Sequence, residues 1–190
     1  MKKRIVIFAS GSGTNTQNVI KYFQHKEIAE VIYVLSNKKD AKVLERAKAL
    51  QIEAASFSKA EILNPEGVLA TLKSLKPDLI VLAGFLLKFP QHIIEAFPNK
   101  VINIHPALLP KYGGKGMYGH HVHEAVVANK ETETGITIHF VNENYDEGAI
   151  IFQAATPVTF LDTAEDVASL VHELEYEWLP KIIEELLTEE

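Results

Sequence analysis

The sequence predicts an α/β protein of three layers, in which helices cover both faces of a mainly parallel β-sheet and an antiparallel hairpin completes the carboxyl-terminal part. Three observations predict this. Short apolar, β-branched runs recur with helical stretches between them. The first four runs are continuously apolar, the mark of strands buried on both faces. The run from Gly135 to Val141 instead alternates, and another apolar run follows the short polar stretch Asn142 to Gly148, which is hairpin spacing.

The strands are expected at Arg4 to Ala9, Val31 to Ser36, Leu79 to Ala83, Lys100 to His105, Gly135 to Val141 and Ala149 to Ala155, with a weaker one near Glu53 to Phe57. Helices follow from their punctuation. One begins near Asn15, a second covers Asp40 to Leu50, a third Gly67 to Lys76 ahead of Pro77, and a fourth Gln91 to Ala96. The last begins at Asp162 or Thr163, where Asp162 with Glu165 offers a capping-box-like start. It aligns Val167, Leu170, Val171, Leu174 and Trp178 on one stripe, and Pro180 should kink or split it. With no repeat, low-complexity tract or linker, residues 1–190 read as one domain.

Of the 190 residues 47% are apolar and 23% charged, and there is no cysteine. This excludes disorder, disulfide scaffolds, cysteine-type zinc sites and thiol catalysis. A formal charge of −6 argues against a general electrostatic grip on nucleic acid or an anionic membrane, so an anionic ligand needs a local site. The five apolar residues after Met1-Lys2-Lys3-Arg4 are too few for a signal peptide, and Leu79 to Leu87 falls short of the roughly 20 residues of a membrane-spanning helix. A cytoplasmic protein with small-molecule partners, monomeric or homodimeric, is the expectation.

The loop Ala9-Ser10-Gly11-Ser12-Gly13-Thr14-Asn15 supplies such a site. It links the first strand to the first helix, where small residues let backbone amides approach a phosphate and the helix dipole favours an anion. It matches neither the dinucleotide pattern, which wants glycine where Thr16 stands, nor the P-loop, so a phosphomonoester fits better than a dinucleotide. A glycine-rich turn that merely caps the helix is the plainer reading.

Asn103 and His105 lie two residues apart at the end of a strand, so both project from one face at the sheet edge that carries ligands in parallel α/β folds. That pairing favours a catalytic histidine over one that only caps a strand. The polar turn Asn142 to Gly148 brings Asp146, which is expected to swing toward His105 and raise its affinity for a proton. Five of the eight histidines fall between positions 105 and 139. His121 and His123 on one side of an extended segment, with Glu124 or Asp146, would suit a zinc ion. No H-E-x-x-H motif supports that, and Gly113, Gly114, Gly116 and Gly119 read as a mobile loop, so no metal is expected.

Taken in order, Ser10-Gly11-Ser12-Gly13-Thr14-Asn15, Ser36-Asn37-Lys38, Leu82-Ala83-Gly84-Phe85, Asn103-Ile104-His105-Pro106-Ala107-Leu108-Leu109-Pro110 and His139-Phe140-Val141 leading to Asp146 and Gly148 resemble the phosphoribosylglycinamide formyltransferase family nearly end to end. The resemblance implies a three-layer Rossmann-like formyltransferase fold. It implies transfer of the formyl group of 10-formyltetrahydrofolate, the co-substrate, to the amine of 5-phosphoribosylglycinamide. Gly13, Thr14 and Asn15 would hold the phosphate, and His172 and Glu175 would face the ribose and glycinamide. Leu86, Leu87, Lys88, Phe89, Asn103, Phe140 and Val141 would form the folate cleft; the residue meeting the folate's glutamate tail stays unassigned. Asn103 and protonated His105 would stabilise the oxyanion, with Asp146 supporting proton transfer. Hydrolysis of the same folate, or a noncatalytic phosphosugar-binding domain, are the alternatives.

Overall fold

Side-chain alternation along the central strands assigns each residue to one of two apolar layers. On β1 (Lys3–Phe8), Ile5 and Ile7 enter one core while Val6 and Phe8 enter the other. β4 (Leu79–Ala83) divides in the same way, with Leu79, Val81 and Ala83 opposite Ile80 and Leu82. A strand with two buried faces needs helices on both sides, and the three expected layers result. The structure, a computed structural model, describes residues 1–188 of the chain.

The remaining strands are β2 (Ala29–Ser36), β3 (Glu53–Ser56), β5 (Val101–His105), β6 (Glu133–Phe140) and β7 (Ile150–Pro157). The helices are α1 (Thr14–Phe23), α2 (Lys42–Ala49), α3 (Lys59–Leu63), α4 (Val68–Leu75), α5 (Gln91–Ala96), α6 (His120–Ala128) and α7 (Ala164–Thr188). The sheet order is β3-β2-β1-β4-β5-β6-β7, parallel through β5, with β6 and β7 forming the antiparallel hairpin at one edge. The order reverses direction between β1 and β4, and a crevice opens outside the carboxyl ends of strands at such a point. The loops after β1 and β4 are tied together there: Ser10 N–H donates to the Gly84 carbonyl at 3.0 Å, and Leu86 N–H donates to Ser10 Oγ at 2.9 Å.

Four expectations change. Residues 59–63 form α3, started by a capping box between Ser58 and Glu61 that the sequence carries in plain view. His121 and His123 lie on helix α6 rather than on an extended segment, so a spacing of two turns them to different faces. The start of α7 is capped by Thr163 and Asp166: Asp166 N–H donates to Thr163 Oγ1 at 3.2 Å and Thr163 N–H donates to Asp166 Oδ2 at 2.9 Å, whereas Asp162 accepts from Thr159 N–H. Pro180 lies inside α7 without splitting it. Proline offers no N–H to the Tyr176 carbonyl one turn back, and Asn18 Nδ2 of α1 donates to that carbonyl at 2.8 Å instead. Among the described residues no helix is long and apolar enough to cross a membrane.

Candidate active site

The crevice holds a cavity of about 690 Å³ walled by the loop after β1, the loop after β4, the end of β5, the glycine-rich segment 114–119 and the face of α7 that carries His172 and Glu175. A second cavity of about 680 Å³ adjoins it, and Leu86 and Tyr145 border both.

Gly13, Thr14 and Asn15 line the first cavity. Gly13 is held at φ 73°, and a Cβ there would run into Val43 of α2, so the position requires glycine twice over. The carbonyls of Gly11, Ser12 and Gly13 accept from Val43 N–H, Arg46 Nε–H and Gln17 N–H respectively. Each planar peptide therefore turns its N–H the opposite way, giving a run of donors at the amino end of α1 suited to a phosphate.

Glu175 also lines this cavity, only 6% exposed. Its Oε2 accepts from Asn15 Nδ2 at 2.9 Å and from His172 Nδ1 at 2.8 Å. The hydrogen bond to Glu175 raises the His172 pKa against the effect of burial. Glu175 Oε1 has no hydrogen-bond donor among the described residues, which suits it to accept from a hydroxyl.

The strands β5 and β6 turn polar where they would otherwise be apolar. Asn103 pairs with His139 across the β5–β6 ladder and His105 with Thr137, so all four side chains share one face of the sheet. The Phe140 carbonyl can only accept, so His139 Nδ1 carries the proton that bonds it at 2.8 Å, and His139 Nε2 then accepts from Asn103 Nδ2 at 3.1 Å. By the same reasoning His105 Nε2–H donates to the Tyr112 carbonyl at 2.7 Å, and its Nδ1 faces Asp146 Oδ2 at 3.6 Å. Asp146 Oδ1 is 3.6 Å from His139 Nε2, and Asp146 Oδ2 also accepts from Gly114 N–H at 2.9 Å.

Asp146 does approach His105, and its charge pulls the proton affinity of the ring upward. Burial is the larger effect and pushes His105 below its ordinary value, with the Asp146 charge and the Tyr112 carbonyl working the other way. Burial also opposes ionisation of Asp146, yet the neighbouring His139 ring, the His105 charge and the Gly114 N–H together hold it below the usual carboxylate range. The result is a carboxylate between two histidines, ready to bind a proton delivered to His105 Nδ1. No group of three or more histidines and carboxylates among the described residues is arranged to hold a metal ion.

The profile of a family described as formyl transferase matches residues 3–183. The chain belongs to this formyl transferase family. It is 39% identical over 186 residues to the phosphoribosylglycinamide formyltransferase of Haemophilus influenzae, covering 95% of this chain and 85% of that protein. It is 38% identical over 194 residues to the chloroplastic phosphoribosylglycinamide formyltransferase of Arabidopsis thaliana, covering 97% of this chain and 66% of that one. The chain spans less than two thirds of the length of that plant relative and of its Vigna unguiculata counterpart, of which it covers 62%. The crystal structure of phosphoribosylglycinamide formyltransferase from Brucella melitensis matches with a TM-score of 0.88 at 34% identity, over 100% of this chain and 98% of that one.

In this formyl transferase family member, Leu86 borders both cavities, and Leu87, Lys88 and Phe89 line the second. Phe89 is largely core: its ring meets Phe8 edge-on at 5.1 Å. Phe140 and Val141 line neither cavity, because their backbones are held in the sheet by Ala149 and Val101 and their side chains pack against the two cores. Glu143 and Tyr145 from the same turn reach the second cavity in their place. Sequence reasoning missed His139 as the partner of Asn103; the signal lay in the hairpin register, which sets those residues opposite each other.

Proposed function

We propose that this chain transfers the formyl group of 10-formyltetrahydrofolate to the amine of 5-phosphoribosylglycinamide, a step of purine (IMP) synthesis, as one catalytic unit over residues 1–190 acting in the cytoplasm. The observation that carries this reading is one cavity lined both by an anion-binding loop and by the Asn103, His105 and Asp146 group, beside a second cavity of similar size. The names of the relatives support the same substrates.

The phosphate rests on the amides of the loop ending at Asn15, and Glu175 with His172 meets the ribose. The uncharged amine attacks the formyl carbon and gives a tetrahedral oxyanion. Asn103 keeps one amide hydrogen on His139 and offers the other to that oxygen. His105, having taken a proton from solvent on Nδ1 before the attack, directs that N–H at Asp146 and turns its Nε2–H from the Tyr112 carbonyl to the oxyanion. Loss of one such donor lowers turnover about 100- to 1000-fold. The amine proton then passes through water held by Asp146 to N10 of the folate, the carbon–N10 bond breaks, and the formamide product is left.

His105→Ala separates this from simple phosphosugar binding. Calorimetric affinity for phosphoribosylglycinamide should stay within threefold while turnover falls about 100- to 1000-fold or further. Retained turnover would overturn the proposed role of His105.

A further inference from the structure

His123 is a buried polar group that the mechanism above leaves unused. It lies on α6 at 4% exposure and lines the first cavity, and its Nδ1 is buried with no hydrogen-bond partner among the described residues. Its neighbours on the helix behave differently: His120 and His121 are exposed beside Glu124, an ordinary solvated face. Val122 and Val126 fix α6 in the core, and α6 packs against α7, which carries His172 and Glu175. A buried nitrogen without a partner is a standing cost that a leucine would avoid, so its presence in the cavity wall points to a ligand.

We infer that His123 hydrogen-bonds the secondary amide of the glycinamide arm, fixing the substrate between ribose and nucleophile. This rests on the proposed function. Burial, and then the neighbouring His172, push the His123 pKa down to about 4 against the pull of Glu175, so the ring is neutral at pH 7. A neutral imidazole has one donor and one acceptor. A secondary amide can meet the unpartnered Nδ1 in either tautomer, through its N–H or through its carbonyl, whereas an ionised phosphate can only accept. His123 also feels the charges of His105, on the catalytic side, and of Glu175, on the ribose side, which is where the amide of a phosphosugar held by the loop falls.

The test is steady-state kinetics of His123→Leu, His123→Asn and His123→Gln with each substrate varied in turn, after circular dichroism melts establish folding. The expected result is that leucine raises the KM for phosphoribosylglycinamide about 10- to 100-fold, the range for an unpaired buried polar group, and leaves the folate KM within twofold. Asparagine or glutamine, whichever places its amide at the working nitrogen, should recover most of that loss. If leucine does not fold, a difference of fivefold or more between the asparagine and glutamine KM values carries the same meaning. An amine-substrate KM unchanged in all folded variants, or an effect confined to the folate KM, overturns the inference. Wild-type protein that turns over neither substrate would instead remove the proposed function beneath it.

Discussion

Asp146→Asn removes one charge from the centre of the site with little change of shape. Asp146 sits at φ 55°, a left-handed conformation that asparagine tolerates better than other residues, and an asparagine oxygen can still accept from Gly114 N–H. What is lost is the attraction of the carboxylate for a protonated His105. At the observed 3.6 Å, and with an effective dielectric of about 20, that attraction is about 4.6 kcal/mol. At 1.36 kcal/mol per factor of ten this bounds the effect near three decades, and relaxation of the site reduces it, so kcat should fall about 100- to 1000-fold. His105 is already pushed toward the neutral form by burial, and without Asp146 its proton uptake moves to still lower pH. The assay follows release of deformylated folate by absorbance across pH 5 to 9, with the KM for phosphoribosylglycinamide expected to stay within threefold. A kcat within threefold of wild type, with its alkaline limb in place, would refute an imidazolium held by Asp146.

Glu175→Gln should raise the KM for the amine substrate about tenfold while sparing the folate, because Glu175 anchors Asn15 and His172 and touches neither Asn103 nor His105 through a hydrogen bond. Stability should fall in acid. His123 titrates at about 4 when folded against an ordinary 6.5, so the unfolded chain binds more protons between those values, and stability present above pH 6.5 is lost as pH falls toward 4. The gap corresponds to about 3 kcal/mol, and urea titrations should show it flattened in His123→Gln. Asn18→Ala should cost about 0.5 kcal/mol, a drop of roughly 1 to 2 °C in Tm, because the exposed Tyr176 carbonyl exchanges its amide donor for water; adding Pro180→Ala restores an N–H to that carbonyl and should recover part of the loss. Binding of both substrates should change hydrogen exchange at Gly113 to Gly119, since the His105 donor must leave the Tyr112 carbonyl to act.

The strands were legible because burial on two faces forces continuous apolar runs, and the glycine loop because a left-handed Gly13 against α2 leaves no other residue type. Helix α3 was equally legible in its Ser58 and Glu61 cap but is only five residues long, too short for a periodic stripe to announce it. Helix α6 was obscured by the glycines before it and by three histidines that invite a metal reading. In the site, the period of two put Asn103 with His105, and the turn put Asp146 within reach. The balance of burial against charge at His105 was not legible, because it depends on how the loop from Tyr112 to Gly114 covers the ring.

Stoichiometry of formyl transfer tests the central claim most directly. Purified protein is mixed with 10-formyltetrahydrofolate, with and without phosphoribosylglycinamide, and deformylated folate and formylated amine are both counted. The expected result is one formylated amine for each folate released, and negligible release without the amine. Folate release that proceeds equally without the amine would show hydrolysis and contradict transfer.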